Sequence, residues 1–176
     1  MEQPKRKSVA GPVHLANAQP VHENPAGLSP QKKLSKMQVR MKFCANLAFL
    51  FTESSFLERY QLAKNAGFKC VETGFPVGLS KEQVAEAKKS ANVEQVLINV
   101  YTGDVSKGEL GFAAIPGKEQ EFKDSIQKTI EYAKALGARK IHIMSGKLTD
   151  EVTKANDEVY EKNLKYAVKL LEKIIF

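Results

Sequence analysis

The chain has 176 residues, 43% of them hydrophobic, enough for one ordinary domain with a core. Its apolar runs fall far short of the roughly 18 residues a membrane span needs, and no secretory apolar region is present. The formal charge of +7 sits mostly in residues 1–40, where seven Lys and Arg face two Glu; the other 136 residues carry +2, so no basic groove for a nucleic-acid backbone is expected.

Residues 1–40 read as a disordered, basic, Pro-rich tail. Five of the seven prolines lie here (Pro4, Pro12, Pro20, Pro25, Pro30), with scattered polar residues and no period. Such a segment cannot bury enough apolar surface to offset its ordering entropy. His14 and His22 also fall here and read as incidental. The prolines and the sparse arginines argue against a mitochondrial presequence. Met37 and Met41 are candidate internal starts.

Ordered sequence is expected over residues 41–176. The apolar runs MKFCAN, KCVETG, QVLINV and KIHIMSG read as strands. Between and after them come SSFLERYQLAKNAGF, LSKEQVAEAKKSANV, KEQEFKDSIQKTIEYAKALGA and ANDEVYEKNLKYAVKLLEKIIF, all with helical period. Phe56, Tyr60 and Ala63 share a face. So do Phe122, Ile126, Ile130 and Ala133, and again Tyr160, Leu164, Ala167, Val168 and Leu171. Ser55-x-x-Glu58 and Ser80-x-x-Gln83 fit capping boxes. Gly67 and Gly137 stand where a helix ends in the left-handed region.

Strict β-α alternation implies a parallel sheet with right-handed crossovers. The first β-α turn, NLAFLFTESS, contains no glycine, which counts against a dinucleotide or phosphate-loop site. Cys44 and Cys70 lie in strands without CxxC spacing. They read as two buried, reduced thiols of a cytoplasmic protein.

In parallel α/β folds the chemistry gathers at the carboxyl ends of the strands, and strand residues alternate faces. If the aliphatic faces meet the helices, Asn46, Glu72, Asn99 and His142 all point inward at one level. Each costs a few kcal/mol if left unpaired, so their recurrence suggests a substrate pocket. The loop YTGDVSKGELGFAAIPGKEQ, with four glycines, is expected to cover the strand ends as a lid, with Asp104 and Glu109 as polar contacts.

The stretches FCANLAFLFTE, GFKCVETGFP, VLINVYTGDVSKGELGFAAIPGKEQEF and YAKALGARKIHIMSG resemble the hydroxypyruvate isomerase family of xylose-isomerase-like barrels, over Met41 to about Leu171. The resemblance implies an eight-stranded (β/α) barrel with a divalent metal of Mg or Mn type at its mouth. It implies interconversion of hydroxypyruvate and tartronate semialdehyde, a small-molecule aldose–ketose type isomerisation through an enediolate. Two carboxylates move the proton in such chemistry. In the family they come from later strands, the first in a Leu-Glu-Pro-Ile-Asn type motif. Leu171-Glu172 has Lys173 in place of that Pro, and no catalytic role is carried over to Glu172.

The expected fold is therefore α/β, a partial (β/α)8 TIM barrel of about the first four β-α units over 41–176, reading as a truncated form. No catalytic residue, metal ligand or cofactor is expected within this chain, and activity is expected to be lost. Open sheet edges suggest self-association, or binding to a full-length isomerase subunit. A zinc-dependent endonuclease of the same barrel superfamily would need several His and carboxylate ligands together. Residues 41–176 contain one His.

Overall fold

The computed structural model describes residues 42–148 and 151–173. The tail expected over residues 1–40, with His14, His22, Met37 and the candidate start Met41, lies outside them. Four strands and four helices alternate: β1 (Cys44–Asn46), α1 (Glu58–Asn65), β2 (Cys70–Thr73), α2 (Lys81–Ala91), β3 (Glu94–Asn99), α3 (Glu119–Leu136), β4 (Lys140–His142) and α4 (Lys154–Leu171), with a short 3-10 turn at Val105–Lys107. The strands form one parallel sheet in the order β1-β2-β3-β4. This is the progression expected of consecutive barrel units.

Local chemistry sets the helix ends. Ser80 and Gln83 form the expected reciprocal capping box at α2. At α1 the exchange is one-sided. The Ser55 N–H and hydroxyl donate to Glu58 Oε2 at 3.0 and 2.7 Å, and these bonds hold the Glu58 carboxyl below its usual range. A third box, Thr153 with Asn156, starts α4 and was not read from the sequence. Gly67 and Gly137 adopt φ of 90° and 65°, the left-handed exits their positions call for.

One core lies between the sheet and the first three helices: Ala45, Val71 and Ile98 from the strands meet Tyr60, Ala63, Val84, Ala133 and Leu136. A second gathers Val100, Phe112, Ala113, Phe122, Ile126, Ile130 and Ala167 under α4. The expected faces of α1 and α3 are the buried ones. On α4 Ala167 of the expected face is buried and Tyr160 and Leu171 pack half-buried on the second core, but Val168 is 53% exposed and the seam also takes in Asn156 and Asn163. The two asparagines are buried because they serve the loop after β3. Asn156 Nδ2 donates to the Ala114 carbonyl at 2.9 Å and Asn163 Nδ2 to the Ala113 carbonyl at 3.0 Å.

Strict alternation fails once, in β3. Val71 pairs with Gln95 but Glu72 pairs with Leu97, so Val96 is an extra residue, a β-bulge. With period two unbroken, Gln95 would share the face of Leu97 and Asn99. The bulge puts it on the helix side, where it is 1% exposed. There it accepts from the Tyr60 hydroxyl at 2.9 Å and donates to Thr73 Oγ1 and the Leu97 carbonyl at 3.1 and 2.8 Å. Burial pushes the Tyr60 hydroxyl well above its ordinary pKa, so it stays a donor. Tyr60→Phe leaves the Gln95 oxygen buried without its donor. The expected loss is about 1–3 kcal/mol. Urea unfolding followed by circular dichroism measures it, and an unchanged midpoint would mean the network carries no stability.

Candidate functional site

The face of the sheet turned away from the helices carries the polar residues. In-register pairs of parallel strands point the same way. Asn46, Glu72, Leu97 and Lys140 therefore form one row across the sheet, and Asn99 and His142 form another row two residues further along. The four candidate residues share one face near the strand ends, as their alternation predicts. They do not share one level. The two rows are offset by about 6–7 Å, two strand residues. The bulge in β3 narrows this offset, because with the register unshifted Asn99 would stand three residues beyond Glu72.

The structure joins the four residues as two pairs. Asn46 Nδ2 donates to Glu72 Oε1 at 2.8 Å. The Asn46 side-chain oxygen accepts from the Ala48 N–H at 2.9 Å, so the amide is oriented from both ends. In the second pair, His142 Nδ1 lies 3.3 Å from Asn99 Oδ1. An amide oxygen only accepts, so Nδ1 carries the proton and Nε2 of the neutral ring is left as an acceptor. Asn99 Nδ2 lies 3.9 Å from Met144 Sδ. Asn46, Glu72 and Asn99 are half-buried and His142 is exposed. A half-buried carboxylate and an exposed imidazole, each steered by an amide, can bind and orient a small polyoxygenated molecule.

Asp104 and Glu109 stand apart from these pairs. Asp104 Oδ1 accepts from the Ser106 N–H and hydroxyl at 3.0 and 2.6 Å, and these bonds hold its carboxyl below its usual range. Glu109 Oε2 accepts from the Asp104 N–H at 2.7 Å. Both carboxylates fold the loop on itself. The loop is also fastened at its far side. Gly111 bridges Ser145, and the Ala114 N–H donates to the Ser145 carbonyl at 2.7 Å. With the two α4 asparagines this makes residues 111–114 a fixed wall, leaving Val105 to Leu110 as the outer part.

Cys44 and Cys70 pair in register on the polar face. Cys70 is buried as expected, but Cys44 is exposed, because it lies on the edge strand. Partial burial, then the charges of Glu72, Cys70 and Glu94, push the Cys44 thiol up to about 11, so it is protonated at neutral pH.

Sequence reasoning missed Lys140 on the polar face. Its place follows from pairing with Leu97, in line with Glu72. It also missed Arg59, whose guanidinium donates to the Leu47 and Ser54 carbonyls at 2.9 and 3.1 Å. That grip holds the turn after β1, where Phe51 adopts φ 62°. No spacing signal marks an arginine for such a role. Among the described residues, no three His, Cys, Asp or Glu side chains gather where they could hold a metal ion. Nor is any helix there long and apolar enough to cross a membrane.

Known proteins are similar to this chain in sequence and fold. The family model described as xylose isomerase-like TIM barrel matches residues 60–175. The hydroxypyruvate isomerase of Escherichia coli is 38% identical over 136 residues, covering 76% of this chain and 52% of that protein. The 2-oxo-tetronate isomerase of Haemophilus influenzae is 38% identical over 127 residues, covering 72% and 49%. The crystal structure of an AP endonuclease, family 2, from Brucella melitensis superposes with a TM-score of 0.72 at 42% identity, covering 75% of this chain and 51% of that one. The chain spans about half the length of the curated relatives it matches.

Proposed function

Because the chain belongs to the xylose isomerase-like TIM barrel family, we propose that it carries the substrate-orienting half of a hydroxypyruvate isomerase site, acting in the cytoplasm on hydroxypyruvate and 2-hydroxy-3-oxopropanoate. The observation that carries this reading is the pair of steered groups on one sheet face, Glu72 with Asn46 and His142 with Asn99. The single substrate hydroxyl donates to the Glu72 carboxylate in one isomer and to His142 Nε2 in the other. The Asn46 amide keeps the carboxylate in place, and the Asn99 oxygen keeps the imidazole in its Nδ1–H form.

Enediolate chemistry needs two carboxylates placed to take and return a proton on adjacent carbons. Among the described residues, the polar face offers Glu72 as its one carboxylate at the strand ends. The chain is therefore read as binding without turnover by itself. Glu72 and His142 do not make a donor set for the divalent ion that the resemblance implies, since such ions take six or so oxygen-rich ligands. The same shortage weighs against a zinc-dependent endonuclease, which needs several His and carboxylate ligands at one point.

Titration of the full chain with hydroxypyruvate, followed by NMR shifts, tests the reading. Saturable millimolar binding is expected, weakened about tenfold or more in Glu72→Ala and in His142→Ala. That loss corresponds to roughly 1.4 kcal/mol. Binding unchanged by both substitutions would sink it, and formation of 2-hydroxy-3-oxopropanoate by the chain alone would overturn the loss of turnover.

A further inference from the structure

Hydroxypyruvate and its isomer share a part that does not react. Both are three-carbon acids, and only C2 and C3 exchange hydrogen and oxidation state, so C1 stays a carboxylate throughout. Glu72, half-buried on the polar face, repels a second negative charge unless a cation offsets it. Among the described residues, the four strands carry one lysine or arginine, Lys140, and it stands on this face. We infer that Lys140 binds the substrate carboxylate at the isomerase site proposed above, an assignment that rests on that reading, and so restricts the site to short hydroxy- and oxo-acids.

Strand register puts the lysine within reach. Lys140 pairs with Leu97 and Leu97 with Glu72, so lysine and carboxylate stand in one row, two strands apart. At the usual strand spacing their Cα atoms are roughly 9–10 Å from each other. Half-buried Leu97 lies between them and offers an apolar bed for a lysine's methylene stem. His142 follows two residues along the same strand. That step is about 6–7 Å, comparable to the reach of four methylenes. The ammonium can therefore stand in the space between Glu72 and His142 Nε2 without displacing either.

Two nearby cations are committed elsewhere. The Arg59 guanidinium donates to the Leu47 and Ser54 carbonyls. Lys128, on α3, holds its Nζ 4.1 Å from the centroid of the Tyr101 ring. Lys140 also suits the task chemically. A lysine ammonium is a compact charge with three donors that rotate, and its hydrogen bonds to a carboxylate are charge-assisted.

One anchor serves both isomers. With C1 held at Lys140, the hydroxyl is on C3 in hydroxypyruvate and on C2 in its isomer. It moves by one carbon while the carboxylate stays, which matches a hydroxyl that turns between two acceptors, Glu72 and His142 Nε2. Hydroxyacetone has the same hydroxyl and oxo groups but a methyl in place of the carboxylate. It keeps the contact with the two acceptors and loses the one with Lys140. A preference for the acid that rests on opposite charges is also weakened by salt.

Titration of the full chain with hydroxypyruvate and with hydroxyacetone, followed by NMR shifts, tests it. The unmodified chain is expected to bind the acid about tenfold or more tightly than the ketone, the order of one charge-assisted bond. Lys140→Gln should weaken the acid by about the same tenfold, leave the ketone unchanged and abolish the salt dependence. Lys140→Arg, which keeps the charge, should retain most of the preference. Far-UV circular dichroism of the same samples separates lost binding from unfolding. Equal binding of acid and ketone by the unmodified chain would overturn the assignment. So would a Lys140→Gln chain that loses neither ligand, or that loses both alike, which would make the lysine a partner of Glu72 only. If Glu72→Ala and His142→Ala weaken the acid while Lys140→Gln does not, the assignment fails and the isomerase-site reading stands. Binding of neither ligand overturns that reading and the assignment with it.

Discussion

Phe122→Ala is expected to remove about 3–5 kcal/mol of stability. Phe122 is 1% exposed and sits at the centre of the second core, against Val100, Phe112, Ile126 and Ala167. That core joins α3, α4 and the loop after β3, so a cavity there loosens three elements together. Domains of this size hold about 5–15 kcal/mol in total, so the loss approaches the whole. With a urea slope of about 1–3 kcal/mol per molar, the midpoint should fall by roughly 2 M. Val77→Ala, at an exposed position, should leave the midpoint where it is. A fall in Phe122→Ala of less than about 0.5 M would mean that the second core contributes little.

The second large effect is expected at a glycine. Gly111 has φ 106°, a conformation that side-chain-bearing residues rarely adopt, and a Cβ there would run into the Met144 carbonyl. That carbonyl belongs to the backbone between β4 and the Gly111–Ser145 bridge, so it cannot move aside cheaply. Gly111→Ala should cost about 2–4 kcal/mol, the backbone strain plus the displacement. It should also speed proteolysis within Val105 to Leu110 several-fold, because the far fastening of the loop is lost. Gly67→Ala makes the comparison. Its φ is 90°, but a Cβ there meets nothing within 4 Å, so only the conformational cost of about 1 kcal/mol is expected. Equal losses at the two glycines would show that the contact with Met144 does not matter.

The candidate site was legible in part. Asn46, Glu72, Asn99 and His142 were found because alternation along each strand is a local property, and each strand read correctly on its own. Their arrangement as two hydrogen-bonded pairs on separate rows was not legible. It depends on inter-strand register, and one extra residue at Val96 shifts that register. Gln95 was lost for the same reason. Asp104 and Glu109 were correctly placed in the long loop. Their bonds back onto that loop follow from how it folds.

The α/β order, the strand and helix positions, the caps at Ser80 and Gly137, and the buried faces of α1 and α3 are all readable along the chain. These depend on periodicity and on chemistry within a few residues. Only the packing of distant segments sets Gln95 toward the helices, Lys140 in the row of Glu72, Asn156 and Asn163 buried to hold Ala114 and Ala113, and Cys44 exposed. A polar side chain is buried where a distant backbone group needs a partner. That need arises only once segments some 42 and 50 residues apart have been brought together.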